Sequence, residues 1–153
     1  MRTACPAHTP VGIFTAIYEC DSIRRVLFPE EQAGADISQT DETLPFAAQI
    51  KEYFEGKRKF FSLAVFIPGT PFRHAVYNAT INIPYGETAA YSDIALAAGY
   101  PNAMRAVGSA MKANQLPLLI PCHRVVRKNK PPGAYRASEN IKQFLLDLEK
   151  RYK

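Results

Sequence analysis

Residues 91–114, YSDIALAAGYPNAMRAVGSAMKAN, predict two short helices joined by a turn. The first, YSDIALAAG, ends at Gly99, and Pro101 suits the first turn of the second, PNAMRAVGSAMKAN. Two short helices separated by a glycine-containing turn are typical of a helix-turn-helix. The pattern alone is weak evidence for DNA binding, because many helical hairpins bind nothing.

The second of these helices consists mainly of small residues, and Arg105 is the one cation among residues 103–110. Such a thin helix can approach the groove of a nucleic acid closely, and a long cationic side chain can then enter a base stack. The alternative is that the helix packs tightly against a neighbouring element and leaves Arg105 at the surface. The helix alone favours this second interpretation.

Residues 116–126, LPLLIPCHRVV, predict a rigid extended edge or pocket wall, because Pro117 and Pro121 remove two backbone donors. This segment places the thiol of Cys122 beside the imidazole of His123. Neighbouring side chains of an extended chain point in opposite directions, so a water or a local bend would have to connect the two. A cysteine in an apolar run is more often inert packing than a nucleophile, and both interpretations stay open here.

The closing segment, SENIKQFLLDLEKRYK, predicts a helix with Ser138 as its N-cap and an apolar stripe of Ile141, Phe144, Leu145, Leu148 and Tyr152. Glu149 follows Leu145 by four residues and therefore lies at the edge of that stripe. It is either a surface carboxylate paired with Lys153 or a carboxylate that reaches inward and orients an imidazole.

The N-terminal part of the chain predicts a small sheet. GIFTAIYE and IRRVLFP are strand candidates that meet in a hairpin around Asp21 and Ser22, and KFFSLAVF is a further strand candidate. A helix is predicted from an N-cap at Thr43 to Gly56, with Phe46, Ile50, Tyr53 and Phe54 at helical spacing. The punctuating run IPGTPF separates a domain of residues 1–68 from a domain of residues 69–153.

Composition sets wider bounds. At 153 residues and 47% hydrophobic, the chain can bury a core in one domain or two small ones. It has neither a membrane-spanning apolar stretch nor the features of a signal peptide, so we expect a cytoplasmic protein. Three widely spaced cysteines, Cys5, Cys20 and Cys122, are then expected to be thiols.

The net charge of +5 is unevenly distributed along the chain. Residues 1–101 carry eight basic and eleven acidic side chains, whereas residues 102–153 carry eleven and three. The asymmetry favours contact with a polyanion through the C-terminal part. A solvated basic surface explains it equally well.

The stretches IPYGETAAYSDIA, AMRAVGSAMKAN, LPLLIPCHRVV and FLLDLE, in this order, resemble the O6-alkylguanine-DNA alkyltransferases, also named methylated-DNA–protein-cysteine methyltransferases. The similarity extends from the TPVG stretch near the N-terminus to Glu149, and its PCHRV core is highly specific. It implies an α+β protein in which an N-terminal α/β roll, a small antiparallel sheet with a helix, precedes a C-terminal winged-helix domain with a helix-turn-helix.

The resemblance also implies a single-turnover repair reaction on double-stranded DNA. The protein would bind the minor groove through a recognition helix, Asn102 to Ala113, and flip an O6-alkylguanine into a pocket. O4-alkylthymine is a further candidate substrate. Arg105 occupies the place of the family's intercalating arginine, and the small residues Ala103 and Gly108 let the helix approach the groove.

The chemistry implied by the resemblance centres on Cys122 as the alkyl acceptor. His123 would take its proton through a water, and Glu149 would hold the other imidazole nitrogen. Asn114 would tie the recognition helix to the active-site turn, and Tyr91 would hydrogen-bond the flipped guanine. The pocket would be shaped by Met111, Pro117, Val125, Tyr135 and Arg136. No cofactor is implied, and we expect a monomer that acts in the cytoplasm, or in the nucleus of a eukaryote.

The sequence departs from the family pattern after Tyr135, where Arg136, Ala137 and Ser138 stand in place of a small residue and a glycine pair. This change puts the width of the pocket in doubt. Some relatives hold a structural zinc in the N-terminal domain, but Cys5, His8 and Cys20 do not make a convincing ligand set, so we expect no metal. Two other functions remain: a non-catalytic sensor of alkylated guanine, which the presence of Cys122 disfavours, and a Cys–His hydrolase, which lacks an oxyanion-hole motif.

Overall fold

The computed structural model describes residues 1–31, 34, 36–128 and 139–153. These residues form both helices and short sheets, which confirms the predicted mixed α and β class. The chain divides into two units, Met1–Ile67 and Pro68–Lys153. Among the described residues, no helix has the length and apolar character that crossing a membrane requires.

A four-stranded sheet forms the framework of the first unit, with neighbouring strands in the order β3-β2-β1-β4. β1 (Arg2–Thr9), β2 (Gly12–Glu19) and β3 (Ser22–Leu27) pair antiparallel, and the short β4 (Gln39–Thr40) lies parallel to β1. The predicted β2–β3 hairpin is confirmed. The turn lies one residue earlier than predicted, at Cys20 and Asp21, since Ser22 already pairs with Glu19. Cys20 and Asp21 have φ values of 53° and 63°, as the twist of a two-residue hairpin requires.

Strand β1 has no counterpart in the sequence prediction, because Pro6 interrupts the segment. In the structure β4 pairs with β1 only at Thr3 and Ala4. Within the described residues β1 is therefore an edge strand at Pro6, which is where a sheet tolerates proline. The sequence pattern cannot reveal this, since it depends on where β4 ends.

Helix α1 (Pro45–Phe54) packs on this sheet and buries the four predicted side chains, Phe46, Ile50, Tyr53 and Phe54. Gly56, with φ of 78°, ends it as predicted. The predicted N-cap is wrong: Leu44 occupies that position, and Thr43 instead bonds through its backbone N and its hydroxyl to the Asp41 carboxylate, at 2.9 and 2.6 Å.

The predicted strand KFFSLAVF is also wrong. The segment joins the sheet through one bridge, in which Ile23 N donates to Ala64 O at 2.9 Å and Phe66 N donates to Ile23 O at 3.0 Å. None of its side chains is fully buried, and Phe60 is 74% exposed. An apolar run therefore predicted a strand where burial does not support one.

The described residues of the second unit form four α-helices and one small parallel sheet. The helices are α2 (Pro71–Ile81), α3 (Tyr91–Ala97), α4 (Met104–Lys112) and α5 (Glu139–Tyr152), and the sheet pairs β5 (Ala89–Ala90) with β6 (Val125–Val126). Helices α2, α3 and α4 pack against one another. The predicted end of the helix at Gly99 is confirmed by its φ of 88°.

The predicted helix from Asn102 to Ala113 is too long at its start. Pro101 and Asn102 lie in a turn, and Ala103 is the N-cap with a non-helical φ of −101°. The Ala103 N–H donates to Tyr100 O at 3.0 Å, which closes that turn before α4 begins at Met104. Proline therefore belongs to the turn between the helices rather than to the first helical turn.

The predicted extended course of LPLLIPCHRVV is wrong. Leu118 adopts a left-handed backbone with φ of 73°, and Cys122–Arg124 form a turn of 3₁₀ helix. Ile120 N donates to Leu116 O at 2.8 Å, so the two prolines flank a compact loop rather than an edge strand. The extended pattern returns only at β6.

Candidate active site

Cys122 begins the 3₁₀ turn and is 4% exposed. Its backbone N donates to Ile120 O at 2.7 Å, and Arg124 N donates to Pro121 O at 2.9 Å. Successive side chains of a 3₁₀ helix are about 120° apart rather than opposed. The turn supplies the local bend that a link between Cys122 and His123 needs.

Asn114 holds this turn to the end of α4 and is buried. Its side-chain amide donates to Ile120 O at 3.0 Å, and its side-chain oxygen accepts from Leu116 N at 2.9 Å. These two bonds fasten the loop on both sides of Leu118. The position of the Cys122 backbone therefore depends on the end of α4.

A buried hydrogen bond joins His123 to Glu149, and both side chains are 1% exposed. His123 Nε2 lies 2.7 Å from Glu149 Oε2. An ionised carboxylate can only accept, so Nε2 carries the proton and Nδ1 keeps a lone pair. Among the described residues, Nδ1 has no hydrogen-bond partner. The imidazole thus presents a buried basic nitrogen.

Arg124 binds the same carboxylate from its other side. Its Nε donates to Glu149 Oε1 at 2.8 Å, and its Nη2 donates to Oε2 at 3.0 Å. Burial alone would raise the pKa of the Glu149 carboxyl, but the hydrogen bonds and charges of His123 and Arg124 hold that pKa far below its ordinary 4.5. Glu149 is therefore ionised throughout the neutral range.

The environment of His123 keeps its ring neutral. Burial lowers the pKa of His123 below its ordinary 6.5 more than the Glu149 carboxylate raises it, and the charges of Arg124 and Lys142 lower it further. Lys142 is itself buried and donates from Nζ to Val125 O at 2.8 Å. One carboxylate and two cations thus surround an uncharged imidazole.

Two tyrosines lie near the thiol. Burial raises the pKa of Tyr91, Arg127 opposes that shift, and Cys122 adds to it. Tyr77 donates from its hydroxyl to Ala110 O at 2.8 Å, and its pKa is also raised, mainly by burial. Tyr91 begins α3, and its Cε1 lies 4.0 Å from the position that a Cβ on Gly108 of α4 would take.

Helix α4 is amphipathic, with Val107, Ala110 and Met111 turned inward and a largely exposed outer face. A cleft of about 410 Å³ lies along this outer face and is lined by Tyr91, Met104, Arg105, Gly108, Ser109, Lys112 and Arg127. Three of these are basic and none is acidic. Within the described residues, the face that the cleft exposes is therefore a thin helix edged by cations.

The structure describes some of the remaining predicted residues, and the others lie outside the described ranges. Met111, Pro117 and Val125 are buried, as the wall of a pocket would be, whereas Asn102 is exposed in the turn before α4. Tyr135 and Arg136 lie outside the described residues, as does the predicted N-cap Ser138. No group of three His, Cys, Asp or Glu side chains suited to a metal occurs in the part of the chain that the structure describes.

Sequence reasoning missed Arg124, Lys142 and Arg127. The first could have been found from a cation placed inside the apolar run around Cys122, since a buried cation needs a partner. Lys142 and Glu149 stand seven residues apart on α5, so they share a helix face, and this spacing was a further signal. The position of Arg127 beside Tyr91 depends on the β5–β6 pairing and has no signal in the local sequence.

Comparisons with known proteins identify the family. A family model described as the DNA-binding domain of 6-O-methylguanine DNA methyltransferase matches residues 71–151. The constitutive methylated-DNA–protein-cysteine methyltransferase of Bacillus subtilis is 41% identical over 94% of this chain and 93% of its own. A methylated-DNA–protein-cysteine methyltransferase of Haemophilus influenzae is 33% identical over 93% of this chain and 83% of its own.

Solved structures agree with this. The O6-methylguanine methyltransferase of Mycobacterium tuberculosis, 30% identical, superposes with a TM-score of 0.89 over 100% of this chain and 95% of its own. The OGT of the same organism in complex with DNA, also 30% identical, gives a TM-score of 0.90 over 98% of this chain and 94% of its own. The chain therefore belongs to the methylated-DNA–protein-cysteine methyltransferases, a family of DNA-repair enzymes.

Proposed function

We propose that this protein repairs DNA by moving the alkyl group of O6-alkylguanine to Cys122 in a single turnover, with O4-alkylthymine as a second substrate. The observation that carries the proposal is the His123–Glu149 pair, 2.7 Å apart, which leaves the lone pair of Nδ1 available next to Cys122 in the sequence. A thiol needs such a base, because the thiolate is the nucleophile.

In the proposed step the Cys122 proton passes through a water to His123 Nδ1. The thiolate then attacks the alkyl carbon, the carbon–sulfur bond forms, and the bond from that carbon to guanine O6 breaks with its electron pair left on the base. The Tyr91 hydroxyl stabilises the departing negative charge, and the guanine takes up one proton to balance the proton lost by the thiol. The thioether is stable, so no second turnover follows and no cofactor is needed.

For DNA, we propose that the second unit acts as a winged-helix domain and that the first unit is an α/β roll. Helices α3 and α4 would form the helix-turn-helix, with α4 in the minor groove and Arg105 in the gap left by the flipped base. The support is the exposed basic cleft along α4 and the presence in its lining of Tyr91, whose pKa the Cys122 thiol helps to raise. Ala103, Gly108 and Asn102 at the start and middle of this face add little bulk against the groove.

The pocket for the flipped base would be walled by Met111, Pro117 and Val125, which are buried, and completed by Tyr135 and Arg136. We further propose that the protein works as a monomer in the cytoplasm, or in the nucleus of a eukaryote, because one chain would supply every group of the proposed step. Size-exclusion chromatography with light scattering on the free protein and on its DNA complex tests the monomer.

The proposed reaction is tested by intact-protein and peptide mass spectrometry after incubation with duplex DNA that carries O6-methylguanine. We expect one methyl group on the peptide that contains Cys122, in proportion to the lesion, and none with undamaged DNA. Tight binding of the lesion without a gain in mass would overturn the transfer reaction and make the protein a sensor. Steady turnover of an ester or amide would instead favour a hydrolase.

The DNA face is tested separately through its charge. Replacing Arg127 by Ala should weaken binding about equally for damaged and undamaged duplexes and reduce the slope of log K against log salt by about 1. Arg105→Ala should instead reduce flipping, read from the fluorescence of a base analogue opposite the lesion. An exposed cation of the first unit, Lys57, provides the matched control, because its loss should leave both measurements unchanged.

A further inference from the structure

We propose that Arg124 is a positioning residue for the transfer reaction: its guanidinium holds the Glu149 carboxylate against His123, and its positive charge offsets that of the carboxylate beside the imidazole. This inference rests on the proposed function and deepens it. The arginine neither contacts the thiol in the proposed step nor receives a proton. It acts through Glu149 and His123.

The first observation is the completeness of the carboxylate's hydrogen bonding. Glu149 Oε2 accepts from His123 Nε2 at 2.7 Å and from Arg124 Nη2 at 3.0 Å, while Oε1 accepts from Arg124 Nε at 2.8 Å and from Gly86 N at 3.3 Å. Two of these four donors belong to one rigid guanidinium. Since both oxygens are bound, the carboxylate cannot rotate away from the imidazole without breaking the fork.

The second observation is that Arg124 is itself anchored. Its Nη1 donates to Ile83 O at 2.9 Å, and its guanidinium carbon lies 5.7 Å from the centre of the Tyr85 ring. The side chain is buried and crosses from the turn at Cys122 to the segment between α2 and β5. The orientation of Glu149 therefore depends on the 3₁₀ turn and on the segment between α2 and β5 as well as on α5.

The third observation is the balance of charge around His123. The charged groups that act on the ring are Glu149 and Lys142 from α5 and Arg124 from the 3₁₀ turn. A carboxylate beside an imidazole raises the pKa of the ring, and an imidazolium cannot accept the thiol proton. Burial already favours the neutral ring, and the charge of Arg124 adds to this by offsetting the carboxylate, so His123 and Glu149 can stay in close contact while the base is neutral.

The two roles predict different variants. Arg124→Gln removes the charge and retains an amide donor, whereas Arg124→Lys retains the charge and loses the planar fork. In the Gln variant we expect the acid limb of the transfer rate to move to higher pH, and a move of about one unit lowers the rate below that limb about tenfold. In the Lys variant we expect the limb to stay in place and the plateau rate to fall several-fold.

The experiment is single-turnover methyl transfer from O6-methylguanine duplex, followed by quench and mass spectrometry between about pH 5 and 9. Circular dichroism and DNA binding at each pH establish that a variant is folded. If the wild-type protein transfers no methyl group, the proposed function fails. If the wild type transfers it and the acid limb of Arg124→Gln is unchanged, the function stands and the role of the charge is overturned.

If Arg124→Gln does not fold, Arg124→Lys tests the positioning role by itself, because lysine preserves a buried ion pair with Glu149. A plateau and a pH profile identical to those of the wild type would show that the fork is not needed, and the positioning role would be rejected. Tyr85→Leu provides a further comparison, since it loosens the anchor of Arg124 and leaves every charge in place. We expect it to resemble the Lys variant with a smaller loss of rate.

Discussion

The two buried cysteines, one in each unit, differ in the residues that accompany them. Cys5 is enclosed in β1, where burial and then the charges of Asp41 and Glu42 raise the pKa of its thiol. Cys122 is almost as deeply buried, but it begins a turn that continues into His123 and Arg124. Burial is thus common to the two thiols, and the proposed base and the cation that follow Cys122 in its turn distinguish it from Cys5.

The largest expected effect is the difference in methyl transfer between variants of the two cysteines. Cys122→Ala should abolish methyl transfer and preserve DNA binding, because the helix face proposed to bind DNA does not include the thiol. Cys5→Ala should retain full stoichiometric transfer, since the proposed alkyl acceptor is Cys122 in the other unit. Peptide mass spectrometry on both variants is the measurement. A methyl group found on any peptide of the Cys122→Ala protein would contradict the assignment.

The second prediction concerns the base. His123→Gln should lower the single-turnover rate about a hundredfold, the size usually associated with loss of a general base. The exposed His8 is the matched control, and His8→Gln should transfer at the wild-type rate. The two rates are compared by rapid quench at one pH. A His123→Gln protein as fast as the control would show that the thiolate forms without the imidazole.

The third prediction concerns the free energy of unfolding that is lost when one charge of the buried network is removed. Glu149→Gln leaves Arg124 buried without its counter-charge, and we expect a loss of about 3 kcal/mol in the free energy of unfolding. Urea unfolding followed by fluorescence or circular dichroism measures it. Glu52→Gln is the control, because its ion pair with Arg58 is partly exposed and should be worth less than about 1 kcal/mol. Equal losses would mean that the buried network contributes no more than a surface pair.

The fourth prediction is a dependence on acid. The lowered pKa of His123 means that the unfolded state binds an extra proton once the pH falls below 6.5. Stability should then fall by up to about 1.4 kcal/mol per pH unit. The lowered pKa of Glu149 acts in the same direction below 4.5. Unfolding free energies at several pH values give the slope, and His123→Gln should flatten its upper part. A slope unchanged in that variant would assign the acid sensitivity to other groups.

The smallest expected effect is that of Gly108→Ala, which should change the stability of α4 and the affinity for DNA in opposite directions. A Cβ built on Gly108 would have Tyr91 Cε1 as its nearest neighbour, at 4.0 Å, which is ordinary contact. Gly108→Ala should therefore stabilise α4 by about 0.5–1 kcal/mol, because alanine is the better helix former. If the helix lies in a groove, the same methyl group should weaken DNA binding. Thermal melting and binding isotherms test the two halves, and tighter DNA binding would contradict the proposed approach of α4.

Local patterns predicted the elements whose signals are local. The β2–β3 hairpin, the apolar stripe of α1 and the end of α3 at Gly99 follow from alternation, helical spacing and glycine. The start of α4 was placed too early, because Pro101 fits a turn as well as a helix. Strand β1 was not predicted. It contains Pro6, which a sheet tolerates only at an edge, and β1 is an edge strand at Pro6 because the short β4 ends before it. The compact loop before Cys122 depends on side-chain bonds of Asn114, which no periodicity reports.

The candidate site divides in the same way. Cys122, His123 and Glu149 were singled out from the local sequence with two interpretations open, the family resemblance favoured the catalytic one, and the structure brings His123 and Glu149 within 2.7 Å of each other. Arg124 was not named, although its place in the apolar run was a signal, because the local sequence does not show its partners. Its partners lie 25 residues away at Glu149 and 41 away at Ile83. Such contacts arise from packing rather than from spacing.

The amide of Asn114 has a consequence for anyone who would redesign this protein. Because one buried side chain links the end of α4 to the loop before Cys122, the helix proposed to read the DNA and the proposed alkyl acceptor are held in a fixed relation. A graft of the helix alone would leave the thiol misplaced, and a graft of the thiol loop alone would lose its support. Residues 104–126 should therefore be transplanted or recombined as one indivisible cassette.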